Sequence, residues 1–133
     1  MNKHIVEIKE IDWMDKDNPE AEVKFKIGDR EYWAFAHPCD FLENETLKVQ
    51  FEIIEEEILE SVFWNENKDS LIKMVSSESR RCSYACYGII EDINPVKINC
   101  GDITFLNGDW INDKNVIGAY VYFYINRLDI IKG

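Results

Sequence analysis

Hydrophobic residues along much of this chain recur at every second position. Over residues 22–27, Val23, Phe25 and Ile27 fall on one face and Glu22, Lys24 and Lys26 on the other. A period of two marks a strand with one buried face, because successive side chains leave opposite sides of the backbone. Residues 31–36 resume the pattern with Tyr32, Trp33 and Phe35, and Gly28 with Asp29 between the two runs predicts a hairpin. Pro38 closes the second arm, since proline cannot continue a ladder. Leu47, Val49, Phe51 and Ile53 alternate with Lys48, Gln50 and Glu52 as a third clear strand. Residues 5–11, with Ile5, Val6, Ile8 and Ile11 among charges, read as a first strand, a helix being the competing reading.

After Ile53 the period changes. Ile54, Ile58, Leu59, Val62 and Phe63 suit a helical face that leaves Glu55, Glu56, Glu57 and Glu60 to solvent; a strand continuing through Glu57 and followed by another is the alternative. Asp69 or Ser70 is placed to cap a short helix over Leu71, Ile72, Met74 and Val75. Residues 82–93 are apolar on both faces, as a central strand is. Residues 96–106 predict another strand, interrupted at Gly101 and Asp102 by a bulge or tight turn. Turn signals follow at 107–109 and 112–115, and residues 117–131 make a long last element rich in Tyr, Val, Phe and Ile.

The count is six to eight strands with one or two short helices, without repeats or linkers, in 133 residues. That length predicts one domain over residues 1–133. The fold class is all-β or β-rich α+β. Residues 87–93, 97–105 and 117–130 resemble consecutive strands of an OB-like barrel, so the architecture expected is a small OB-like barrel or curled antiparallel sheet.

Charge narrows the functional classes. Acids outnumber bases 26 to 15, for a net charge of −11. Double-stranded nucleic acid and anionic membranes need a basic footprint, which argues against both as partners. No apolar run reaches the length of a signal peptide or a membrane span, so a cytoplasmic location is expected. Cys39, Cys82, Cys86 and Cys100 are then expected as buried thiols. Their spacing with His37 is poor for zinc, and on a strand Cys82 and Cys86 stand roughly 13 Å apart. His37 and Cys39 lack an oxyanion-forming loop, and no phosphate-binding, dinucleotide or hydrolase motif is present. No catalytic residue, metal or cofactor is therefore assigned, and the expectation is a protein that is not an enzyme.

Two surfaces stand out. Between residues 40 and 66 lie nine acids against one base, Lys48, with Trp64 inside the stretch. Clustered charge of one sign steers association, and an aromatic can anchor it. Glu55, Glu56, Glu57, Glu60 and Trp64 are thus candidates for docking a basic protein partner; a solvated acidic face is the simpler reading. In size and charge the chain is similar to bacterial immunity proteins, which cover the basic active sites of nuclease toxins. The second surface is Tyr120, Tyr122 and Tyr124 on one face of the last strand, joined by Trp33. There an OB-like module would bind a small ligand, a carbohydrate or a short single-stranded nucleic acid by stacking; burial of both faces is the simpler reading.

Overall fold

A computed structural model describes residues 3–133, the side chains of residues 55–57 excepted. The strands are β1 (Lys3–Asp15), β2 (Glu20–Ile27), β3 (Arg30–Ala36), β4 (Thr46–Glu57), β5 (Lys73–Ser76), β6 (Tyr84–Ile93), β7 (Val96–Asn99), β8 (Thr104–Leu106) and β9 (Tyr120–Lys132). One short helix, α1 (Glu60–Asn65), follows β4, and a single 3-10 turn (Lys114–Val116) precedes β9.

Five strands close a ring. β1, β2 and β3 form an antiparallel meander, β1 pairs with β4, and β4 pairs with β9. The ring shuts where β3 meets β9 in a parallel contact, Phe35 opposite Asp129. The circular order 1-2-3-9-4 is that of an OB-like barrel, with closure removing most of the exposed sheet edge. The alternation read in β2 is the alternation buried: Val23 and Phe25 face inward with Val6, Ile8, Val49, Leu128 and Ile130. In β3 the inward face is Tyr32, Ala34 and Ala36, whereas Trp33 and Phe35, read as its apolar residues, are half-buried on the other face beneath Arg81 and Arg127.

Everything between β4 and β9 forms an outgrowth of this barrel. β6 pairs with the first half of β9, from Tyr84 opposite Ile125 to Ile89 opposite Tyr120. β5 lines part of the far edge of β6, and β7 and β8 continue the sheet beyond it. Gly88 permits the close packing here: a Cβ would lie 2.6 Å from the Asn99 carbonyl oxygen and 2.9 Å from the Cys100 sulfur. Cys86, Ile90, Ile98, Cys100, Phe105, Val121 and Phe123 extend the core between these strands.

Two local expectations are corrected. Residues 71–75 form no helix capped by Asp69 or Ser70; Ser70 takes a left-handed turn with φ 54°, and residues 73–76 pair with β6. Strand pairing to a long neighbour outweighs a marginal helix signal. The helical face read from Ile54 to Phe63 is strand in its first part, as the alternative reading had it, and helix only from Glu60. β4 runs on to Glu57, opposite Tyr124 of β9, and the helix occupies only Glu60–Asn65. β9 supplies a partner that the local period could not show. The first strand extends past residues 5–11 at both ends, with no helical character. Among the described residues, no helix is long and apolar enough to cross a membrane.

Candidate functional site

The ring leaves one strand edge open. β4 pairs with β9 as far as Glu57, but with β1 only as far as Gln50, opposite Lys3. Alternation decides what the open edge offers. Ile8 N–H donates to the Glu45 carbonyl, and Gly133 N–H donates to the Lys48 carbonyl, both at 2.9 Å. Odd-numbered residues of β4 therefore direct their backbone groups toward β1, and even-numbered ones toward β9. Beyond Gln50 the N–H and C=O of Phe51 and Ile53 point to an edge without a strand partner among the described residues.

A second open edge faces the same space. β8 is the last strand of its series and pairs only with β7. Cys100 N–H donates to Ile103 at 2.9 Å and Asn107 N–H to Val96 at 2.7 Å, so Thr104 and Leu106 turn their backbone groups away from β7. The Thr104 N–H donates to Nε2 of His4 at 3.3 Å. Between these edges lies a cleft of about 820 Å³, whose walls include His4, Phe51, Glu52 and Ile53 on one side and Leu106, Asn107, Asp109 and Trp110 on the other. That volume is in the range of ligand-binding sites.

The cleft carries unpartnered donors. His4 sits opposite Val49, with its ring 5.3 Å from that of Phe51. Burial lowers its pKa from the ordinary 6.5, so the ring is neutral at pH 7. With Nε2 accepting from Thr104, the ring proton resides on Nδ1. Nδ1 of His4, Nδ2 of Asn107 and Nε1 of Trp110 are all buried without a hydrogen-bond partner among the described residues. Each such group costs about 1–3 kcal/mol. All three residues line the cleft. Among the described residues its charged side chains are those of Glu52 and Asp109, with no Lys or Arg in the lining.

The acidic candidates adjoin this cleft in part. Trp64 is half-buried on α1, 4.9 Å from Phe63 and 6.4 Å from Trp110, ring to ring, and Phe63 is 5.1 Å from Trp110. This aromatic cluster ties α1 to the cleft wall, with Glu60 exposed at the start of the helix. Glu55, Glu56 and Glu57 lie on β4 in backbone, and their side chains fall outside the described residues.

The aromatic candidates are brought together only partly. Tyr120, Tyr122 and Tyr124 share the outer face of β9 and are half-buried. Tyr122 packs against Tyr87 at 5.1 Å, and burial raises its pKa. Tyr122 and Tyr124 border a small cleft of about 170 Å³ with Leu59, just before α1, and Val62 and Phe63 of α1. Trp33 lies elsewhere, on β3, beneath the Arg81 guanidinium at 3.6 Å.

The cysteines are free and buried. Burial, reinforced by Glu22, pushes the Cys82 thiol up to about 12, and burial also raises Cys39 and Cys86. The His37 ring turns to Asn18 at 3.1 Å and Glu20 at 3.9 Å instead of activating a thiol. Among the described residues, no group of three or more His, Cys, Asp or Glu is arranged to hold a metal ion. Sequence reasoning passed over His4 and Trp110 and read Asn107 only as part of a turn. An isolated histidine and tryptophan, about a hundred residues apart in the chain, give no local signal of sharing a site. Comparison with protein families, curated proteins and solved structures finds no match to this chain.

Proposed function

We propose that the protein is a non-catalytic binding module that docks a basic protein partner through the cleft between β4 and β8 and the acidic side of α1. The observation that carries this reading is the cleft itself. It encloses about 820 Å³, the charged residues in its lining among the described residues are acidic, and Trp64 beside Trp110 offers an aromatic border. A net charge of −11 steers a cation-bearing partner toward it. The aromatic-face reading has less support, because Arg81 covers Trp33 and α1 borders Tyr122 and Tyr124. The raised thiols favour packing roles for the cysteines over nucleophilic ones.

The test is a capture experiment at low and high salt, followed by titration of the captured protein once identified. The expected partner is basic, and its affinity falls by about tenfold or more when ionic strength is raised from about 0.01 M to about 1 M, which shortens the Debye length from about 30 Å to about 3 Å. Glu60→Lys and Asp109→Lys each weaken it. A partner whose affinity ignores both salt and these reversals overturns the proposal.

A further inference from the structure

We infer that the cleft takes an extended peptide segment of the partner, which adds as a strand along the open edge of β4 and against the open edge of β8. This rests on the docking reading above and states how docking occurs. The backbone supplies the first argument. Ile53 and Leu106 present N–H and C=O groups from opposite walls of one cleft, without strand partners among the described residues. A strand laid between them satisfies both rows, as in other cases where a peptide extends a sheet.

The orphaned side chains supply the second. His4 Nδ1, Asn107 Nδ2 and Trp110 Nε1 are all donors, and Asn107 is only 7% exposed. An incoming peptide backbone brings one carbonyl acceptor per residue, the group these donors lack. An anionic ligand would bring acceptors too, but would meet Glu52 and Asp109 with no cation in the lining.

The two faces of the cleft specify the segment. Side chains along a strand alternate, so every second residue meets Phe51, Ile53 and Trp110 while the others point outward past Glu52 and Asp109. The segment that fits therefore alternates apolar residues with lysine or arginine. The charge complementarity excludes an acidic peptide, and it disfavours a second copy of this chain, whose own charge is −11.

The test uses a displayed library of random twelve-residue peptides selected on the whole protein, then amide hydrogen exchange of the protein with a selected peptide bound. Basic, alternating sequences are expected, with the Ile53 and Leu106 amides slowed at least tenfold in exchange. Leu106→Pro removes one outward N–H and weakens the peptide by about tenfold, whereas Leu106→Ala changes it less than about twofold. Salt-sensitive binding of basic peptides with unchanged exchange at both amides overturns strand addition while leaving the docking reading standing. Selection of salt-insensitive, uncharged peptides overturns both. No binder from the library, or a peptide-free dimer with the Ile53 amide already protected, overturns strand addition.

Discussion

Two of the barrel strands, β3 and β4, each leave part of an edge without a strand, and the protein treats the two edges differently. β3 meets β9 at a single position, Phe35 opposite Asp129, leaving the rest of that edge exposed to pairing. Here the outgrowth closes it. The buried Tyr84 hydroxyl accepts from the Trp33 N–H at 2.8 Å and donates to the Trp33 carbonyl at 2.6 Å. One side chain thus fills the place of a strand. Arg81 then covers the Trp33 ring and is itself held by Asp12 and by Glu22, the latter at 2.6 Å. At β4 no side chain among the described residues does this for Ile53, and the nearby donors of His4, Asn107 and Trp110 have no partner among those residues. Open edges invite pairing and are normally blocked. The contrast between a blocked edge and an open one is what the proposed strand addition rests on.

The sharpest way to break this comparison is a proline at each edge. Trp33→Pro removes an N–H that Tyr84 accepts and disturbs the ring under Arg81, and should cost about 3–4 kcal/mol in urea unfolding. Leu106→Pro removes an N–H that points away from β7, and should cost less than about 1 kcal/mol. Equal losses would mean that the β8 edge is engaged within the folded chain.

Tyr84→Phe isolates the hydroxyl. It removes both bonds to the part-buried Trp33 N–H and C=O, for an expected loss of about 2 kcal/mol. Faster exchange of the Trp33 amide in the variant would locate that loss. Unchanged stability would show that another group can take over the hydroxyl's two bonds.

The difference between the two edges explains what could be read from the chain and what could not. The barrel strands were legible because burial of one face writes a period of two directly into residues 22–27 and 47–53, and the Gly28–Asp29 turn carries the reading on to residues 31–36. The end of β4 was not, because Glu55 to Glu57 are strand only by virtue of β9, almost seventy residues later. Met74 and Val75 read as helix for the same reason: their strand is made by pairing with β6. The cleft was hidden more deeply. It depends on where β1 stops relative to β4 and on which way backbone groups of β8 point, and neither is encoded in residue type. Acidic residues and Trp64 were visible as a cluster along the chain, yet Trp110, which links them to the cleft, lies between two turn signals and carries no local signal of its own.

Deleting a donor at the cleft should have a milder effect than deleting the Tyr84 hydroxyl. Trp110→Phe removes an indole N–H that has no partner, so it should leave unfolding stability within about 1 kcal/mol, the lost ring area being partly offset by the lost desolvation penalty. It should at the same time weaken a bound basic peptide. Stability loss matching that of Tyr84→Phe would mean that the indole is bonded in solution.

The smallest effect expected is one of pH, and it too separates the open edge from the closed one. Burial lowers the His4 pKa below its ordinary 6.5, so the unfolded chain takes up a proton before the folded one does. The stability of neutral His4 is complete above pH 6.5 and declines as pH falls through that value toward the lowered folded one. Protonation also turns Nε2 from an acceptor into a donor, which opposes the Thr104 N–H and loosens the tie between β1 and β8. Urea midpoints of the wild type should therefore fall between about pH 7.5 and 5.5. His4→Gln keeps an acceptor in the side chain but does not titrate, so its midpoint should fall less over the same range. His37 is exposed beside Asn18 and Glu20 and is common to both proteins, so the difference between the two slopes belongs to His4. Parallel slopes would show that the His4 ring is solvated, and with it the wall of the cleft.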